Sequence, residues 1–187
     1  SIFAMKCLGY PDDHPVLANQ LREMENLMIY DGDKLYLQPC VSPVWDTAWA
    51  IIALHESGMP GADSSLQKAG QWLLSKEVRH YGDWALKCKV DEPSGWYFQY
   101  ANEFYPDTDD SAAVLMALQR VSLPERMHKE KAVLRGLKWL LAMQCDDGGW
   151  GAFDRNNNKA ILNHIPFADF NALLDPSTSD VTGRCLD

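Results

Sequence analysis

The sequence predicts an all-α fold in which helix pairs repeat along the chain, and three observations carry that prediction. Residues 46–54 and 110–118 align without a gap, 64 positions apart, each an apolar run opened by Asp. Lys68-Ala69-x-x-Trp72-Leu73-Leu74 matches Arg135-Gly136-x-x-Trp139-Leu140-Leu141, and both carry apolar residues at helical spacing. Each of these leads to a Gly and Trp cluster, Gly82-Asp83-Trp84 and Gly148-Gly149-Trp150-Gly151. One unit is therefore helix, turn, helix and aromatic loop in about 65 residues. A lone pair cannot bury both apolar faces, so neighbours are expected to stack into a solenoid or a closed ring.

The elements follow in order. Residues 1–9 read as the tail of a helix cut at its start, and residues 16–29 as an amphipathic helix after Pro15. The helix carrying Asp46 stops at the turn Gly58-Met59-Pro60-Gly61. The next presents the stripe Leu66, Ala69, Gly70 and Leu73, with Ser64 and Gln67 placed for a capping box. Asp110 opens a helix that stops at Ser122-Leu123-Pro124, and its partner presents Val133, Gly136, Leu137, Leu140 and Leu141. Asp180-Val181-Thr182 opens a last helix, which runs for only about two turns before Asp187. The units are approximately 10–41, 42–106 and 107–175. Incomplete units at both ends read as an excerpt of a longer protein, expected to expose apolar faces and aggregate on its own.

Composition narrows the function. With 47% apolar and 23% charged residues a packed core is expected, not disorder. Seventeen basic against twenty-six acidic residues, net charge -9, with no basic run, argue against nucleic acid as a partner. The cysteines Cys7, Cys40, Cys88, Cys145 and Cys185 are odd in number and lack a C-x-x-C pair. That argues against a disulfide framework or a zinc site and fits inert thiols in a reducing cytosol. No run of eighteen apolar residues exists, so no membrane span is expected, and the first residues lack the pattern of a signal peptide.

The chemistry concentrates in Tyr105-Pro106-Asp107-Thr108-Asp109-Asp110-Ser111-Ala112, where three carboxylates meet a helix start. Mutual repulsion and burial favour a protonated carboxyl there, whereas the helix N-terminus favours the anion. Coupled acids titrate as a set, and a division into anionic acceptors and one protonated acid is one outcome. A solvated helix cap is another. A calcium loop is disfavoured, because no Gly follows at the sixth position and no later bidentate Glu; magnesium on a diphosphate remains a competitor.

The D-x-D-D pattern of residues 107–110, the stretch Ser42-Pro43-Val44-Trp45-Asp46-Thr47-Ala48 and the run Gln144-Cys145-Asp146-Asp147-Gly148-Gly149-Trp150 together resemble squalene-hopene cyclases. Residues 135–150 match that family's repeated Gln-Trp motif at every fixed position. The copy starting at Lys68 is degenerate, with Glu77 in place of Gln and one extra residue before Gly82. The resemblance extends over the whole chain, including Asn163-His164-Ile165-Pro166-Phe167 and Asp175-Pro176-Ser177. It implies an α/α toroid built from helix-pair repeats, with residues 1–187 a partial region of a longer two-domain cyclase that turns squalene into hopene or hopanol. It also implies that this piece is inactive alone.

By the same resemblance Asp109 donates a proton to the terminal alkene, while Asp107 and Asp110 orient it and sharpen its acidity. Ser111, Asp175, Asp180 and Arg184 support the acid. Some members carry His at the position of Arg184, and Arg cannot pass protons as His does. Trp45, Phe98 and Phe153 line the cavity, where aromatic faces stabilise a carbocation by ~0.5–2 kcal/mol each. At Phe153 many members have Tyr. Phe167 lies at the substrate channel. No cofactor and no metal are implied. The partners implied are squalene and a membrane surface, reached from its cytoplasmic face through parts mostly outside this chain, with a homodimer admitted.

Other residues read as structure. Trp72, Trp139 and Leu140 belong to core stripes, Gln144 and Trp150 tie helix ends together, and His164 is a hydrogen-bonded structural histidine. Two rival functions stand beside the cyclase. A class II diterpene cyclase also uses D-x-D-D but needs basic residues for a prenyl diphosphate, and a non-catalytic helical repeat module would bind through its concave face. Oxidosqualene cyclases open an epoxide, an easier protonation, and carry one Asp in this region.

Overall fold

The computed structural model describes residues 2–38, 40–164 and 173–187. Two units emerge, Ser1–Val41 and Ser42–Asp187. In the first, α1 (Ile2–Cys7) contacts α2 (Pro15–Glu25), followed by a hairpin of β1 (Met28–Asp31) and β2 (Lys34–Leu37). Pro15 suits the first turn of α2 because no helical partner is needed there for its missing N–H, and His14 Nδ1 accepts from the Val16 amide at 3.3 Å. The helix expected through Ile29 therefore stops at Glu25. Met28 pairs with Leu37 and Asp31 with Lys34, closed by a two-residue loop whose Gly32 has φ +62°. Gly32-Asp33 between alternating apolar residues was the hairpin signal, and the helical spacing masked it.

The second unit holds α3 (Pro43–Glu56), α4 (Ser64–Ser75), α5 (Thr108–Arg120), α6 (Arg126–Met143) and α7 (Ser179–Leu186). Helices α3 and α4 pair, α5 and α6 pair, and α5 also packs on α3, α4 and α7. Burial explains the sequence of α5: every residue from Asp110 to Leu118 is buried, so its side chains face several neighbours. Ala112, Ala113 and Ala117 are small enough to admit neighbouring helices, and Ala48 on α3 is likewise buried. On α6, a Cβ at Gly136 would lie 2.9 Å from Leu115 and from Trp96, so the helix carries Gly where it touches α5.

Three local expectations are corrected. Helix α3 begins at Pro43 and α5 at Thr108, so Asp46 and Asp110 fall in the first turn, after the caps Ser42 and Asp107. Helix α4 is capped by Asp63, which accepts from the Ser65 amide at 2.8 Å; Gln67 instead donates to the Ser122 carbonyl at 2.7 Å, and no capping box forms. On α6 the buried stripe is Ala132, Gly136, Trp139, Leu140 and Met143, whereas Leu137 and Leu141 are exposed because they lie one residue further around the helix. Trp72 is half-buried on α4, with the Lys76 ammonium 5.5 Å from its ring. His164 is exposed, with no hydrogen bond among the described residues. Cys88 and Cys145 are buried, and all five thiols are free. Among the described residues no helix is long and apolar enough to cross a membrane.

Two Gly-Trp pairs carry matching hydrogen bonds, and the earlier of them is not the Gly82-Asp83-Trp84 cluster expected. The Trp150 indole N–H donates to the Leu140 carbonyl at 2.7 Å, and the Cys145 amide donates to Gly149 O at 2.8 Å. The Trp150 amide donates to Thr182 Oγ1 at 3.0 Å, and Trp150 O accepts the Thr178 amide at 3.0 Å. The matching set belongs to Trp96: indole to Leu73 O, 2.7 Å; Val78 amide to Gly95 O, 2.9 Å; Trp96 amide to Ser111 Oγ, 2.8 Å; Asp107 amide to Trp96 O, 2.9 Å. Each tie runs from the end of one α-helix to the head of the next, α4 to α5 and α6 to α7.

Trp84 sits in a short 3-10 turn, edge-on to Trp139, and its buried indole N–H has no partner among the described residues. A long loop between Glu77 and Gly95 had hidden the correspondence. Glu77, standing where the second copy has Gln144, accepts two bonds from Arg135 at 2.8 and 2.6 Å and one from Ser94 Oγ at 2.8 Å. Gln144 itself donates to the Gly148 carbonyl at 2.8 Å.

Candidate active site

The acid cluster is built by the start of α5. Asp107 is the N-cap: its extended backbone bridges to Trp96, and its Oδ1 accepts the Asp110 amide at 2.7 Å. Thr108 locks the same turn from the other side. Its amide donates to Ala152 O at 2.8 Å and its hydroxyl to Gly151 O at 2.7 Å. The carbonyls of the 151–154 turn face α5 in this way because Asp175 gathers the amides of Ala152, Phe153 and Asp154 at 2.9, 2.6 and 2.6 Å. Gly151 has no room for a side chain there, since a Cβ would lie 2.5 Å from Asp175 O.

Asp107 and Asp110 are 4% and 2% exposed. Burial pushes the Asp107 carboxyl well above the usual range, and the charge of Asp110 adds to the rise. Burial likewise pushes Asp110 up to about 6, opposed by its hydrogen bond with Asp107 and aided by the charge of Asp109. The pair thus favours holding a proton, and Asp110 Oδ1 is buried without a partner among the described residues.

Asp109 stands apart. Its side chain is 25% exposed, and Arg184 on α7 grips it with two donors, Nε on Oδ1 and Nη2 on Oδ2, the latter at 3.1 Å. The same Nη2 reaches Asp180 Oδ2 at 3.4 Å, one turn back on α7. Hydrogen bonding to Asp109 holds the Arg184 guanidinium firmly charged, and its Cζ lies 5.7 Å from the Trp45 ring centroid. Trp45 in turn meets Trp49 edge-on at 5.5 Å. Helices α3, α5 and α7 therefore converge through Trp45, Asp109 and Arg184.

Sequence reasoning grouped more residues than the structure brings together. Asp107, Asp109, Asp110, Asp180, Arg184 and Trp45 form one cluster. The Ser111 hydroxyl is instead committed to the Trp96 backbone, and Asp175 to the 151–154 turn, so both act on the acids only through backbone. Phe98 is half-buried two residues beyond Trp96. Phe153 is 51% exposed beside a cavity of about 220 Å3 shared with Trp84, Phe104 and Tyr105. Phe167 lies outside the described residues. Three residues were missed: Trp96, signalled by a second Gly-Trp pair shortly before the acids; Thr108, which sits inside the acidic motif itself; and Cys185, half-buried with Sγ 4.0 Å from Thr108 O, its thiol pushed by burial up to about 12.

Comparisons with known proteins meet this geometry. Residues 41–187 match the family model described as the squalene-hopene cyclase C-terminal domain. The chain is 45% identical over 195 residues to a squalene–hopene cyclase of Zymomonas mobilis, covering 100% of this chain and 30% of that protein. It is 44% identical over 187 residues to a dammaradiene synthase of Dryopteris crassirhizoma, covering 100% of this chain and 27% of the relative. A squalene–hopene cyclase of Alicyclobacillus acidocaldarius is 39% identical over 191 residues, again across 100% of this chain and 30% of the relative. The chain thus spans less than a third of the length of these curated relatives. By its family-model match and its mostly helical structure, the chain belongs to the squalene-hopene cyclase family.

Proposed function

We propose that this chain supplies the proton-donating segment of an α/α-toroidal enzyme that cyclises squalene to hopene or hopanol. The observation that carries the reading is the split acid cluster: two buried carboxyls that favour a proton, beside a third that is accessible and held by a cation. Only Asp109 of the three is accessible enough to meet a substrate. Its carboxyl hydrogen passes to the terminal alkene, leaving a tertiary carbocation and a carboxylate. Arg184 stabilises that carboxylate, since a bidentate guanidinium favours the anion. Asp107 and Asp110 keep further negative charge out of the cluster by holding a proton themselves.

Trp45 has a double use on this reading. One of its faces supports the guanidinium, which fixes Arg184 over Asp109, and the remaining aromatic surface, with Phe98 and Phe153, stabilises the moving positive charge by about 0.5–2 kcal/mol per contact. Loss of a proton from the final cation yields the hydrocarbon, and capture of water yields the alcohol. Squalene as substrate draws support from the relatives named as squalene–hopene cyclases. An insoluble substrate fits peripheral attachment at the cytoplasmic face of a membrane.

The test uses the full-length enzyme with squalene in heavy water, its products analysed by gas chromatography with mass detection. One solvent deuterium in the pentacyclic product, with no turnover of a prenyl diphosphate, is expected. Unlabelled product, or preference for the diphosphate, would overturn the reading.

A further inference from the structure

The two Gly-Trp ties differ in chemistry at Glu77. In the later tie Gln144 donates to the Gly148 carbonyl at 2.8 Å. In the earlier one the matching positions hold Glu77 and Ser94, and the direction reverses: the carboxylate accepts from the Ser94 hydroxyl at 2.8 Å. A carboxylate can only accept, and Ser94 supplies the donor that a glycine such as Gly148 lacks. Two cations complete the set. Arg135 of α6 donates to both Glu77 oxygens, at 2.8 and 2.6 Å, and Arg79 Nη1 donates to Oε1 at 3.2 Å. The Glu77 side chain is 4% exposed and Ser94 is fully buried, so a buried anion meets donors from three segments of the chain.

This carboxylate lies on a short path to the acids. Gly95 follows Ser94, and its carbonyl accepts the amide of Val78, the residue after Glu77, at 2.9 Å. A Cβ at Gly95 would stand 3.0 Å from Pro106 and 3.3 Å from Trp139, so the segment runs close against the residue before Asp107. Trp96 comes next: its amide donates to Ser111 Oγ at 2.8 Å, and its carbonyl accepts the Asp107 amide at 2.9 Å. Asp107 in turn caps the Asp110 amide. We infer that Glu77 is a positioning residue for the acid cluster: clamped by Arg135, it holds the segment from Ser94 to Trp96 against the head of α5 and thereby sets Asp107 and Asp110 beside Asp109. The inference rests on the reading of that cluster as the proton source. A misplacement of about 1 Å costs a reaction about 100-fold, so the effect falls on turnover and not on substrate binding.

The test uses the full-length enzyme with two readouts, amide hydrogen exchange by mass spectrometry and squalene turnover. Glu77→Gln keeps the size of the side chain, and whichever oxygen becomes NH2 then meets a guanidinium. Ser94→Ala removes only the hydroxyl. In both variants the amides of residues 107–111 are expected to exchange about 10-fold faster. Their kcat for squalene falls about 10- to 100-fold with KM unchanged, at a temperature where circular dichroism shows them folded. Asp63→Ala, at the opposite end of α4, is the stability control and keeps wild-type exchange at 107–111 and wild-type kcat. Unchanged exchange in Glu77→Gln and Ser94→Ala overturns the inference, whether or not squalene is turned over. So does faster exchange with wild-type kcat, and so does an equal fall of kcat in Asp63→Ala, which assigns the loss to stability. If Glu77→Gln does not fold, Ser94→Ala decides. A wild type that leaves squalene unconverted counts against the proposed function instead, and the exchange readout still decides whether Glu77 holds the head of α5.

Discussion

Trp96 and Trp84 offer a paired test of which indole ties α4 to α5. Both indoles are buried, at 0% and 6% exposure, and both pack near Trp139 or Gly136 in the same core. They differ in one respect: Trp96 Nε1 donates to the Leu73 carbonyl at 2.7 Å at the end of α4, whereas Trp84 Nε1 has no partner among the described residues. Replacing each by Phe removes similar ring volume, so that cost largely cancels in the comparison. Trp96→Phe in addition loses that hydrogen bond, worth about 0.5–1.5 kcal/mol, while the Leu73 carbonyl keeps the Lys76 amide at 3.0 Å; Trp84→Phe removes a donor that has no partner among the described residues. The expected result is that Trp96→Phe destabilises more than Trp84→Phe by about 0.5–1.5 kcal/mol. Parallel thermal melts of the two full-length variants would read this as a clearly lower midpoint for Trp96→Phe. If Trp84→Phe melts at or below Trp96→Phe, the assignment of Trp96 as the tie is wrong.

Two further outcomes follow from single groups. Asp110 stands at about 6 in the folded chain against an ordinary 3.8, so the folded state binds its proton more tightly and loses stability as pH rises through that window. Asp110→Asn should therefore gain on wild type by on the order of 2–3 kcal/mol between pH 4 and 7 in melts across pH, and parallel curves would contradict the buried pair. At the head of α4, Asp63→Ala should cost about 1 kcal/mol in the same melting assay and Ser64→Ala little, because the cap is Asp63; the reverse order would restore the capping box.

The helical frame was legible because α3 to α7 carry their own signals: Pro or Asp near each start, Pro or Gly soon after the stops of α3, α5 and α6, and apolar residues at helical spacing. What escaped were features that depend on partners distant in sequence. The hairpin of residues 28–37 was obscured because Leu27, Met28, Tyr30 and neighbouring apolar residues satisfy a helical period as readily as a strand period over so short a run. Trp96 was overlooked because a loop of variable length separates it from Glu77, while Trp84 lay at nearly the right distance. In the site, the acids and Arg184 were identified by motif, and the structure brings them together. No one-dimensional pattern could reveal that Ser111 turns to the Trp96 backbone or that Asp175 collects three amides of another turn, since both are set by packing of segments 15 to 23 residues apart.

On the proposed function Asp109, accessible and gripped by Arg184, hands its hydrogen to a plain alkene. The most direct measurement is conversion of squalene by the full-length enzyme carrying Asp109→Asn, followed by gas chromatography, with folding checked by circular dichroism. A folded variant is expected to form no pentacyclic product. Turnover comparable to wild type in that folded variant would contradict it.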